Sequence, residues 1–184
     1  WVRLERLVKF LLLMGAAAAV IAIGLWLLPD ATANSALTAL GRVGYPGGWV
    51  IRYIEENPEL SERAIGTSVD PNSLGGLLLM IGALIGPQIA TRKPLFRRWI
   101  TWGITGLVFV ALILTFSRGA MLGLAAGLGF VALARYRRLI PYMLVAALLL
   151  LVLPITQAYI ARFLEGFQGD DLATQMRFGE YKDA

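Results

Sequence analysis

"LTFSRGAMLG", residues 114–123, lies between two apolar runs, 99–116 upstream and 120–134 downstream. Arg118 is the single charged residue between Arg98 and Arg135. An arginine at mid-bilayer costs about 2.5–3.5 kcal/mol on the insertion scale. At a helix end the cost falls, because the side chain snorkels to the headgroups. The stretch therefore reads as a tight turn, Ser117–Gly119, joining two antiparallel helices at a membrane surface.

The rest of the chain repeats that pattern. Of its 184 residues 58% are hydrophobic and 16% charged, a balance foreign to soluble domains of this size. Apolar stretches of membrane-spanning length occur at about 8–28, 73–90, 99–116, 119–134 and 139–159. Eighteen residues of helix rise about 27 Å, close to the hydrocarbon thickness. The expected fold is all-α: a polytopic helical membrane bundle of about five transmembrane helices, with 1–184 as one membrane domain. The chain opens on Trp1 and stops at Ala184 in a polar stretch, which reads as a piece of a longer protein. The first apolar run is too long for a signal peptide.

Charge sets the orientation. The N-terminus, 91–98 and 135–138 carry Arg3, Arg6, Lys9, Arg92, Lys93, Arg97, Arg98, Arg135, Arg137 and Arg138 against Glu5 alone. The loop 29–72, the 117–118 turn and the tail from 160 hold every other acidic residue and the remaining basic ones. The positive-inside rule puts the first set in the cytoplasm and, with an odd number of spans, the C-terminus outside. This topology accounts for the net charge of +5 without a nucleic-acid partner. The expected location is the bacterial inner membrane, with membrane lipids as partners.

Two glycine rows predict close helix packing: Gly119, Gly123 and Gly127 on one span, Gly75, Gly82 and Gly86 on another. In the outer loop, "WVIRYIEENPELSER", 49–63, has aromatic and charged residues at helical spacing. It suggests a short helix at the interface, broken or restarted at Pro58.

Chemistry is confined by what is missing. Without cysteine there is no disulfide or thiolate chemistry. Without histidine the usual general base and the commonest metal ligand are gone, as is any serine–histidine triad. Asp170–Asp171 reads as a solvated pair, so no metal and no cofactor are expected. Three polar stretches remain on the outer side: "RAIGTSVDPNSLGG" (63–76), "TFSRGAMLG" (115–123) and "MRFGEYKDA" (176–184). In the first, Asp70 caps a helix with Pro71 at its first position, or Asn72 or Ser73 caps instead. A helix start at a membrane surface favours an anion. Arg118 has two readings, an interfacial anchor or a holder of an anionic group, supported by Ser117. Arg177 and Glu180 are spaced as a helix surface pair, and Arg63 alone reads as solvated. Together, Arg63, Arg118 and Arg177 suit a diphosphate, since arginine binds phosphate bidentately and stays charged.

"RAIGTSVDPNSLGGLLLM", "LILTFSRGAMLGLAAGL" and "MRFGEYKDA", in this order with spans between them, resemble the O-antigen ligase and O-antigen polymerase-like membrane proteins. The resemblance covers residues 63–184. It implies a helical membrane glycosyltransferase that needs no metal. Such enzymes take a glycan from an undecaprenyl diphosphate carrier on the outer face of the inner membrane and pass it to a lipid or glycan acceptor. It assigns diphosphate binding to Arg63, Arg118 and Arg177, with Asp70, Asn72, Ser117 and Glu180 in support. The family's histidine, in a large outer loop, has no counterpart here; that loop would follow "GEYKDA". The expected role is lipid-diphosphate binding without complete transfer chemistry. The alternative is a small-anion, bicarbonate-like transporter, although the span interiors hold no ionisable relay. A structural module packed through its glycines is the third class.

Overall fold

The computed structural model describes residues 3–152. Six α-helices make up most of them: α1 (Leu4–Trp26), α2 (Asp30–Thr38), α3 (Pro71–Ala90), α4 (Arg98–Leu114), α5 (Arg118–Ala134) and α6 (Ile140–Val152). Two of these, α1 and α3, are long and apolar enough to cross a membrane; α4 and α5 are shorter apolar helices of 17 residues each. The four apolar runs up to residue 134 thus become helices within a few residues of their expected ends. The run at 139–159 begins as α6, and its last third, from 153, lies outside the described residues.

Helix α3 is the centre. It buries Leu74, Gly75, Leu78, Ile81, Gly82, Ile85 and Gly86, a pair of adjacent rows wide enough to serve neighbours on both sides. It packs against both α4 and α5, which hardly touch each other, and α1 closes the group against α3 and α4. Leu12, Ala19 and Ala22 of α1, Val108 and Leu112 of α4, and Leu124 of α5 join one core with Leu74, Leu78 and Ile81. The opposite side of α1 is just as apolar but exposed, with Leu4, Phe10, Leu13, Met14 and Val20 on the surface. A helix apolar all round, with half its surface uncovered, is suited to a lipid environment.

The α3–α5 contact explains one glycine row and corrects the other. A Cβ at Gly75 would lie 2.9 Å from the Ser117 Cβ and 3.1 Å from the Ala120 Cβ; at Gly82 it would meet Leu124, and at Gly86, Leu128. Residue numbers rise together along both helices, so the two run parallel and start at the same end. Ala120, Leu124 and Leu128 repeat every four residues and fill the α3 row. In the α5 row, only Gly123 meets a neighbour, Leu79; Gly119 and Gly127 have nothing within 4 Å among the described residues. The seam on α5 lies beside its glycines rather than on them, because larger side chains are needed to fill the hollow that the α3 glycines leave.

Residues 29–70 also depart from expectation. The expected interfacial helix over 49–63 is a small antiparallel hairpin, β1 (Arg52–Tyr53) on β2 (Glu62–Arg63). Glu55 and Glu56 adopt positive φ, which an α-helix cannot contain. Asn57 then turns the chain: its carbonyl accepts from the Leu60 N–H and its side chain from the Glu59 N–H. Helix formation falls instead on α2. Asn34 on α2 donates to the Gly48 carbonyl and accepts from the Val50 N–H at 2.8 Å. Ala33, Leu37, Val50, Ile51 and Ile65 bury a small core beneath that clamp.

Candidate functional site

The hairpin leads directly to the place where α3 and α5 begin. After β2, the Ala64 N–H donates to the Leu114 carbonyl at 2.7 Å, and the Arg63 Nε donates to the Thr115 carbonyl at 2.9 Å. Both acceptors are end-of-helix carbonyls of α4 that have no partner within the helix. A guanidinium here meets the negative end of the helix dipole. The Arg63 Nη2 also donates to the Asn72 Oδ1 at 3.0 Å. One half-buried arginine therefore joins the end of α4 to the start of α3, and the solvated reading of Arg63 gives way to a clamp.

Asp70 caps α3. Its Oδ2 accepts from the Ser73 N–H at 2.8 Å and from the Ser73 hydroxyl at 3.1 Å, and Pro71 takes the first helical position. Of the other two candidate caps, Asn72 accepts from Arg63 and Ser73 donates to Asp70. Val69, just before the cap, has φ +65°, an unusual conformation for a β-branched residue.

The α4–α5 turn has the same feature. Phe116 has φ +51°, and its buried ring packs with Ile54 and Ile113. Thr115 is fully buried. Its hydroxyl donates to the Leu112 carbonyl at 2.7 Å and accepts from the Ser117 N–H at 3.2 Å. Ser117 is buried against Gly75, stands at the N-cap position of α5 and makes no side-chain cap. Arg118 is the first residue of α5 and is half-buried. Strained residues thus precede both helix starts, each costing about 1–3 kcal/mol. The buried Phe116 ring, the Arg63 clamp and the Gly75 contact hold them.

The first two polar stretches are therefore brought together: Arg63, Asp70 and Asn72 stand beside Ser117 and the Arg118 turn. Arg177, Glu180 and Asp170–Asp171 lie outside the described residues. The sequence assigns no role to Thr115 and no partner to Gly75. Thr115 is a polar residue at the end of an apolar run, a weak signal. Gly75 belonged to a noted row, but its partner Ser117 does not show from spacing.

A second polar group borders the site. Tyr53 donates to the Asp30 Oδ2, and this bond, with burial and the charges of Asp30 and Glu62, pushes the phenol up to about 12. Burial, then the Asp30 charge, raises the Glu62 carboxyl to about 7. The Glu62 carbonyl accepts from the Trp26 indole at 3.1 Å. Among the described residues, no three His, Cys, Asp or Glu side chains stand together as a metal site.

Compared with protein-family models, with curated proteins and with solved structures, the chain matches none.

Proposed function

We propose that this chain is part of a membrane glycosyltransferase of the O-antigen ligase or polymerase kind. It would transfer a glycan from an undecaprenyl diphosphate carrier to a lipid or glycan acceptor on the outer face of the bacterial inner membrane. The observation that carries the reading is the Arg63 clamp. Through Asn72 and Thr115 it unites two of the three polar stretches on which the resemblance rests.

The chemistry follows from the two helix starts. Each is the positive end of a dipole worth about half a charge. At α3 that end is met by the Asp70 carboxylate; at α5 no side chain of the N-cap residue meets it. Arg118 adds a full positive charge at the α5 start, where a cation opposes its own helix dipole. An anion at this point is attracted by the dipole and the guanidinium together. In a glycosyl transfer the diphosphate departs as negative charge grows on it, and fixed positive charge stabilises that departure.

Orientation supports the same assignment. The arginines at 92, 97, 98, 135, 137 and 138 belong to the opposite ends of α3, α4 and α5. The positive-inside rule then makes that end cytoplasmic and the Arg118 end external. In this reading the apolar helices α1, α3, α4, α5 and α6 are the spans of one membrane domain.

The test is binding of undecaprenyl diphosphate to the purified protein in detergent, with Arg118→Ala alongside. A charge-assisted contact is worth about 1.5–3 kcal/mol, so the variant is expected to bind about ten- to a hundredfold more weakly while unfolding at the same temperature. Equal binding by a folded variant overturns the Arg118 assignment. Anion flux into proteoliposomes that depends on Arg118 would replace the transferase with a transporter.

A further inference from the structure

The other end of the same helix pair carries a second anion-directed feature. Helices α3 and α5 finish side by side, and between their C-termini lies an open cleft of about 570 Å³. Arg92, Arg135, Arg137 and Arg138 line it, together with Leu133 and Ala134, and among the described residues no carboxylate does. Among the described residues, none of the four arginines is in a salt bridge. Two helix C-termini supply about half a negative charge each. Set against four guanidinium groups, that leaves an excess of about three positive charges at one cleft. Topology alone asks for arginines at this end but does not ask for them around one cavity. A volume of ~300–1,000 Å³ is the usual range for a small-molecule site. The apolar wall of Leu133 and Ala134, beside a cationic rim, suits a ligand with an anionic head and an apolar body.

We propose that this cleft binds the phosphate headgroup of an anionic phospholipid, the arginines holding the phosphate and the Leu133–Ala134 wall meeting the glycerol and the first acyl carbons. Basic clefts between helices at the cytoplasmic surface are suited to such headgroups. The proposal rests on the membrane reading and is independent of the glycosyl-transfer reading, because it concerns the opposite end of the molecule.

The experiment measures retention of phosphatidylglycerol by the purified protein in mixed micelles with phosphatidylcholine, read by native mass spectrometry. Three variants are compared: Arg137→Gln with Arg138→Gln; Arg97→Gln with Arg98→Gln, which removes the same charge at the same end but outside the cleft; and Ala134→Trp. Ala134 is exposed, so the indole enters the cleft without disturbing the core and leaves every charge in place. The cleft pair and Ala134→Trp are each expected to weaken retention at least about tenfold, and the control pair less than about twofold. Equal losses from the two arginine pairs would mean diffuse surface attraction and overturn the site. Unchanged retention by Ala134→Trp would overturn it too, and this variant decides even if an arginine pair fails to fold. Displacement of the lipid by millimolar inorganic phosphate would also overturn it, by making free phosphate the ligand.

Discussion

Helices α3 and α5 start together and finish together, and their two ends treat arginine in opposite ways. At the start, Arg63 donates to the Thr115 carbonyl and the Asn72 side chain, and its geometry is set by acceptors on two other segments. At the finish, Arg92, Arg135, Arg137 and Arg138 surround an open cleft without a salt bridge among the described residues. An arginine that donates to a backbone carbonyl and a side-chain amide ties segments together, and its charge shapes what lies beside it. A group of arginines held apart around a space keeps its charge for something that enters. The same residue type therefore serves as a clamp in Arg63 and, in the proposal above, as a phosphate ligand at the far end.

The largest effect expected from this contrast comes from prising the starts apart. In Gly75→Leu the new Cβ would lie 2.9 Å from the Ser117 Cβ and 3.1 Å from the Ala120 Cβ, atoms fixed close to the backbone of α5. Overpacking of this kind costs about 1–3 kcal/mol and more where the neighbour cannot give way. Thermal unfolding in detergent should show a marked loss of stability, and undecaprenyl diphosphate binding should fall with it. Phosphatidylglycerol retention by the remaining folded protein should persist, because the cleft lies at the other ends of the helices. Gly119→Leu is the control: Gly119 has nothing within 4 Å among the described residues. If that variant destabilises as much as Gly75→Leu, the seam has been assigned to the wrong row.

A smaller effect separates the two kinds of arginine. Arg63→Ala leaves the buried Thr115 carbonyl and the Asn72 side chain without their donor, which costs about 1–3 kcal/mol. Arg63→Lys should recover part of this, since one ammonium cannot reproduce a planar fork that reaches two acceptors. Arg137→Ala, at the cleft, should leave stability within about 0.5 kcal/mol, as for a surface substitution. Equal losses at Arg63 and Arg137 in denaturant unfolding would erase the distinction between the two ends.

Much of this architecture is legible in the sequence where the signal is local. Apolar runs at 73–90, 99–116 and 119–134 became helices because their length and hydropathy leave little else to form. The Asp70–Pro71 cap was readable because cap and helix are adjacent. The Arg63 clamp was not, since its acceptor lies 52 residues away. The hairpin at 52–63 was hidden by helical spacing of Trp49 and Tyr53. Its true determinants, the Asn57 turn, the Asn34 clamp on Val50 and the burial of Ile51 and Ile54, come from different segments. The glycine rows show the same limit from another direction: spacing marks where a helix can be approached, but which row is filled depends on Leu124 and Leu128 of the partner. Arg177 and Glu180, expected from the sequence to join the site, lie outside the described residues.

The smallest effect concerns pH and belongs to the starting end. Glu62, next to Arg63 in β2, has its carboxyl raised to about 7 from an ordinary value of 4.5, first by burial and then by the Asp30 charge. The folded protein thus holds this proton more tightly than the unfolded chain. Between about pH 4.5 and about 7 the folded state binds more protons, so its stability falls as pH rises through that window. The contribution is complete below about 4.5 and gone above about 7. Glu62→Gln keeps a neutral side chain of the same shape and should flatten this slope, making the variant the more stable form above about pH 7. Asp30→Asn removes the second cause, keeps an acceptor for Tyr53, and should flatten the slope in part. Melting temperatures measured across this range decide the matter. A slope that survives in Glu62→Gln would place the titrating group elsewhere and uncouple the hairpin from the pH response of the Arg63 end.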